Sequence, residues 1–110
     1  MIKQRLTQWL IASQHTSGTL LPLSHDARLQ RQVRQGQSGV TLELNPLIYD
    51  ELWLQSVLRQ YHANPERFWC CKPFVSEKKA WCLWIELLPS TSVEQQVEQL
   101  LIMLTLAQLD

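Results

Sequence analysis

The 110-residue sequence predicts an α+β fold, an antiparallel sheet with helices packed on it, in the order α-β-β-β-α-β-β-α. Apolar residues recur at helical spacing in some segments and alternate at period two in others. The strand-like runs meet across short polar turns, which implies antiparallel pairing. No internal repeat or low-complexity linker interrupts the chain, so residues 1–110 read as a single domain.

Residues 2–14 carry Ile2, Leu6, Trp9 and Leu10 as one stripe at i, i+4, i+7, i+8, and the pattern stops before Ser17-Gly18. Thr19 to Leu23 is a short β-prone run that Pro22 confines to an edge or a strand end. Residues 27–34 fit two periods. At period two, Ala27, Leu29 and Val33 face one way and Arg28, Gln30, Gln32 and Arg34 the other. At helical period, Leu29 and Val33 are i, i+4, with Asp26 as a cap and Gly36 as a stop. Gly36-Gln37-Ser38-Gly39 reads as a turn, and Val40, Leu42 and Leu44 then alternate with polar residues until Pro46.

Tyr49 to His62 has the pattern of a helix, with Leu52, Trp53, Val57, Leu58 and Tyr61 apolar. Asp50 and Glu51 sit where the helix dipole favours acids, and Asn64-Pro65 closes the segment. Phe68 to Val75 and Ala80 to Leu88 read as two strands around the turn Ser76 to Lys79. In the second of them Trp81, Leu83, Ile85 and Leu87 share a face. Ser90-Thr91-Ser92 supplies a cap for a last helix with Val93, Val97, Leu100, Leu101 and Leu104 on one side.

Composition excludes several function classes. Lys+Arg and Asp+Glu balance at 10 each, so no net field draws in nucleic acid or anionic membrane. Arg28, Arg31 and Arg34 cluster, but without interleaved aromatics, and read as a solvated face. The longest apolar run, Leu100 to Leu104, is too short to span a bilayer, and the N-terminal residues do not read as a signal peptide. Three cysteines, two of them adjacent, are expected as free, buried thiols in a reducing cytoplasm.

The motifs of catalysis are missing. Gly18, Gly36 and Gly39 form no phosphate loop, and there is no G-x-S-x-G elbow. Adjacent Cys70 and Cys71 cannot converge on one metal from a strand, although Cys71 and Cys82 are placed to face each other across a hairpin. His15, His25 and His62 sit at or near element ends and read as surface groups. No catalytic, cofactor-binding or metal-ligating residue is expected. What stands out is an aromatic hairpin of Phe68, Trp69, Phe74, Trp81 and Trp84. Helices can cover only one of its faces. The other, carrying Trp69 and Trp84, is either a protein interface or covered within the monomer. The chain therefore reads as a binding protein and not as an enzyme.

The order of elements resembles the class I effector chaperones of bacterial type III secretion (the CesT/SycE-like group). The residues that carry the likeness are the helix from Ile2 to Gln14, the strands within Thr19 to Leu44 and the junction Asn45-Pro46-Leu47-Ile48-Tyr49-Asp50. The helix ending Val57-Leu58-Arg59-Gln60-Tyr61-His62-Ala63-Asn64, the hairpin, and the helix from Val93 to Leu109 complete it. The resemblance favours a strand over residues 27–34. It implies a cytoplasmic homodimer, or a heterodimer with a second chaperone, formed through Trp53, Val57 and Tyr61. It also implies that the N-terminal part of a secreted effector or gatekeeper protein is held extended on Ile2, Leu6, Trp9, Leu10, Trp69 and Trp84, the first four split between core and binding groove, with the sheet edges open to an added strand. No nucleotide, metal or other cofactor is implied. Two alternatives stay open: a non-exported regulatory or secretion-apparatus module of similar fold (YbjN-like), and a thiol- or metal-dependent enzyme.

Overall fold

The computed structural model describes residues 2–14 and 18–109. The elements are α1 (Ile2–Ala12), β1 (Leu20–Pro22), β2 (Ala27–Arg34), β3 (Gln37–Leu44), α2 (Glu51–Ala63), α3 (Pro65–Phe68), β4 (Lys72–Val75), β5 (Trp81–Glu86) and α4 (Val93–Leu106). The strands form one antiparallel sheet in the order β1-β2-β3-β5-β4. The predicted α+β order α-β-β-β-α-β-β-α is the one observed, with α3 as a single added turn.

Residues 27–34 are a strand, and the tight turn after them decides it. Gln35 and Gly36 both have positive φ, 53° and 78°, the backbone of a two-residue hairpin whose twist matches its strands. The turn therefore ends at Gly36. Gln37, Ser38 and Gly39, expected in the turn, belong to β3.

Register separates two sheet faces. Leu29, Leu42 and Leu83 lie side by side across three strands, as do Arg31, Val40 and Ile85. This face packs against α1 and α4. Leu6, Trp9 and Leu10 of α1 and Val97, Leu100, Met103, Leu104 and Leu106 of α4 join it in the core. Each fully buried large apolar side chain contributes roughly 1.5–3 kcal/mol. α4 begins in a capping box: Gln95 N–H donates to Ser92 Oγ at 3.2 Å, and Ser92 N–H donates to Gln95 Oε1 at 3.0 Å.

α2 stands at the side of this core. Asp50 caps it by accepting from Trp53 N–H at 3.1 Å. Trp53 Nε1–H reaches Ala107 O at 3.0 Å, and Gln108 Nε2–H reaches Ser56 Oγ at 2.7 Å, so the end of α4 anchors the first half of α2. Only Val57 of α2 is fully buried.

The run Phe68 to Val75 is not one strand. Pro65 sits in the first turn of α3, where its fixed φ suits a helix and its missing N–H costs nothing. Asn64 O accepts from Arg67 N–H and Phe68 N–H, closing that turn. Phe68 is thereby swung into the core, and the strand starts only at Lys72.

Candidate protein-docking surfaces

α2 and the β4–β5 hairpin leave an apolar groove of about 200 Å³ between them, lined by Trp53, Leu54, Leu58, Pro73, Val75 and Trp81. Val75 of that lining is exposed. Trp69, between α3 and β4, is 71% exposed. Leu47 and Ile48, on the approach to α2, and Leu52, at 72% on the side away from Val57, are exposed as well. Leu54, Leu58 and Tyr61 follow i, i+4, i+7, a spacing visible in the sequence, although only Tyr61 of the three was expected at a contact.

Burial corrects several expected contacts. Leu6, Trp9 and Leu10 all belong to the core, so none of them offers surface to a partner; Ile2, one turn before Leu6, is 39% exposed. The α1 stripe is used up by α4 and the sheet. Val57 is buried within the chain, at the base of the groove, whereas Trp53 and Tyr61 are half-buried. Trp69 is exposed, but it follows α3 and is not part of a strand.

Trp84 does point to the helix-free face, yet it is only 6% exposed. Its ring lies over Gly39, on the neighbouring strand. A Cβ at Gly39 would stand 2.6 and 2.7 Å from two ring atoms of Trp84 and would collide with the Ile85 carbonyl. Arg34 lies 5.7 Å from the Trp84 ring and stacks on Phe74 at 3.8 Å. An aromatic ring thus covers a bare glycine within one sheet, and it is not a projecting interface group.

Much of that face carries a polar network. Arg28 Nη2–H donates to Glu43 Oε1 at 2.6 Å across the β2–β3 pair. Thr41 Oγ1–H donates to Gln32 Oε1 at 2.6 Å, and Gln32 Nε2–H donates to Gln30 Oε1 at 3.0 Å. The three arginines do not form one solvated face. Arg28 and Arg34 lie here, and Arg31 is buried on the opposite face.

Neither sheet edge is a good template for an added strand. On β1 the bonds Arg31 N–H to Thr19 O and Leu23 N–H to Ala27 O set the alternation, so Leu20 and Pro22 point outward. Pro22 has no N–H, and its carbonyl already accepts from Arg5 Nη2 at 2.8 Å. On β4 the bond Ser76 N–H to Ala80 O sets the same alternation, and Pro73 and Val75 point outward. Each edge therefore offers a single outward N–H within its strand. Prolines at such positions block strand pairing, which corrects the expectation of open edges.

The thiols are free. Cys71 lies in the core just before β4, while Cys82 lies on the helix-free face opposite Phe74, so the two do not face each other. A hydrogen bond from the Cys71 thiol lowers Cys70 to about 7, and the same contact with burial pushes Cys71 up. Burial, followed by the charge of Glu43, pushes Cys82 up to about 11. Among the described residues no group of three or more His, Cys, Asp or Glu is placed to hold a metal ion. His25 and His62 are exposed, and His15 lies outside the described residues. Among the described residues no helix is long and apolar enough to cross a membrane.

No family model, curated protein or solved structure matches the chain.

Proposed function

We propose that this chain is a bacterial secretion chaperone of the type III class. In this reading it is a cytoplasmic protein without enzymatic activity that binds the N-terminal region of a secreted effector or gatekeeper protein and keeps it stable and competent for export. The observation that carries the reading is the apolar groove beside α2, with Val75 exposed in its lining. Apolar surface clustered on one side of a small domain marks a protein interface. The α-β-β-β-α-β-β-α order supports it as well.

In this reading the groove receives α2 of a second copy. Trp53, Leu54, Leu58 and Tyr61 form the contact, and the helix lays its apolar line against the partner helix. The secreted protein then runs over side-chain surface, since the strand edges are blocked by Pro22 and Pro73.

Co-expression with the products of adjacent genes, followed by purification and light scattering, tests the reading. The expected result is a dimer that co-purifies with an exported protein. Leu58→Glu, which places a charge in the groove, is expected to yield a folded monomer. A wild-type chain that is strictly monomeric and retains no neighbour refutes the reading. A partner that co-purifies but is never exported replaces it with a regulatory module of the same fold.

A further inference from the structure

Along β2, the sheet face beneath the helices is buried at Ala27, Leu29 and Arg31, and then opens. Val33, the next residue on that face, is 59% exposed. The helix layer therefore ends over Arg31. Arg31 is only 8% exposed, among the most buried polar residues of the chain. It makes no ion pair and no side-chain hydrogen bond among the described residues. A guanidinium does not neutralise in proteins, so the site holds an unpaired positive charge. Buried charges in folded chains are ordinarily paired.

The position of the three nitrogens adds direction. Nη1 is sealed from solvent without a partner. Nε and Nη2 also make no hydrogen bond, but they are not sealed. The edge formed by Nε and Nη2 is the side-on fork that takes both oxygens of a carboxylate at once. The β1–β2 ladder fixes the backbone from which this side chain rises: Arg31 N–H donates to Thr19 O at 2.9 Å, and Arg31 O accepts from Gly18 N–H at 2.6 Å.

We propose that Arg31 is a preformed receptor for an aspartate or glutamate side chain of a bound polypeptide, with Val33 beside it taking an apolar side chain of the same segment. The inference rests on the reading of the chain as a polypeptide-binding protein and names the partner chemistry of one site on it. Arg31 and Val33 are two residues apart on one strand face, about 7 Å. An extended segment repeats its side chains at the same spacing, so the recognised pattern is an acid, any residue, then an apolar residue, in either direction. A phosphate is disfavoured because Arg31 stands as a single fork on this face, with Leu29 and Val33 as its apolar neighbours along β2.

The test uses the full chain and pooled synthetic peptides. One position in each pool is Asp/Glu, Asn/Gln or Lys/Arg, with Leu/Val or Ser/Thr two residues away. Binding is read by fluorescence anisotropy. The wild type is expected to bind the acid–apolar pool about tenfold more tightly than the amide–apolar pool. Arg31→Met is expected to bind both pools equally, at the wild-type affinity for the amide pool, and to melt no lower than the wild type, because it removes an unpaired charge. Arg31→Lys keeps part of the acid preference. Equal wild-type binding to acid and amide pools, with apolar dependence retained, overturns the Arg31 assignment alone. Failure to bind any pool overturns the polypeptide-binding reading together with it. A large loss of melting temperature in Arg31→Met shows a structural role for the guanidinium and also overturns the assignment.

Discussion

Gly39→Ala tests whether Trp84 is locked into the sheet. Gly39 lies in β3 beneath the Trp84 ring, and any Cβ there meets two ring atoms at 2.6 and 2.7 Å and the Ile85 carbonyl. The ring sits with Arg34 beside it and is 6% exposed, so it has little room to swing. The carbonyl belongs to the sheet backbone and can retreat only if the β3–β5 pairing shifts. Overpacking of this kind costs about 1–3 kcal/mol. Replacing a strand glycine by alanine returns roughly 0.5–1 kcal/mol through the unfolded chain. The net loss is about 1–2 kcal/mol, or a melting temperature lower by roughly 5–15 °C for a domain of this size. Urea and thermal unfolding followed by circular dichroism measure it. Repeating the substitution in a Trp84→Leu background isolates the ring's share, and the cost of Gly39→Ala is expected to fall by about 1 kcal/mol there. A Gly39→Ala chain as stable as the wild type would show that Trp84 swings freely, as an interface aromatic does, and the account of this face would be wrong.

Three further outcomes are expected. Ser92→Ala removes one half of the capping box of α4 and is expected to cost about 1 kcal/mol in urea unfolding, with fluorescence of the tryptophans as the readout. Cys70 is expected to react with iodoacetamide along a titration curve centred at about 7, because its thiolate is favoured by the Cys71 thiol and grows as pH rises through that value. Cys71 and Cys82, both pushed up and buried, react only after unfolding; mass spectrometry of alkylated peptides distinguishes the three. Pro73→Val restores an outward N–H to the β4 edge, and light scattering is expected to show concentration-dependent self-association beyond the wild-type state.

Local pattern made most of the framework legible. The α1 stripe, the alternation in β3 and β5, the acids at the start of α2 and the Ser92 cap all express one-dimensional spacing, and spacing is what a periodic backbone reads. The strand over residues 27–34 was only half legible, because Leu29 and Val33 satisfy both periods. The positive φ of Gln35 and Gly36 resolved it by forming a turn that needs a strand on each side. Phe68 and Trp69 were misplaced because Pro65 favours a helical first turn as readily as it ends the helix before it.

By itself the sequence determined the α+β class, the order of elements, the faces of the long strands and the lack of catalytic motifs. Only the tertiary structure decided which apolar residues are spare. A stripe such as Leu6, Trp9 and Leu10 looks the same whether it meets α4 or a partner, since burial depends on what lies opposite and not on the residue itself. For the same reason Trp84 proved covered, through a glycine on the next strand. Arg31 proved to be a buried charge within a strand whose other arginines lie on the opposite face, Arg28 paired with Glu43 and Arg34 exposed, and its value as a site comes from the place where the helix layer ends.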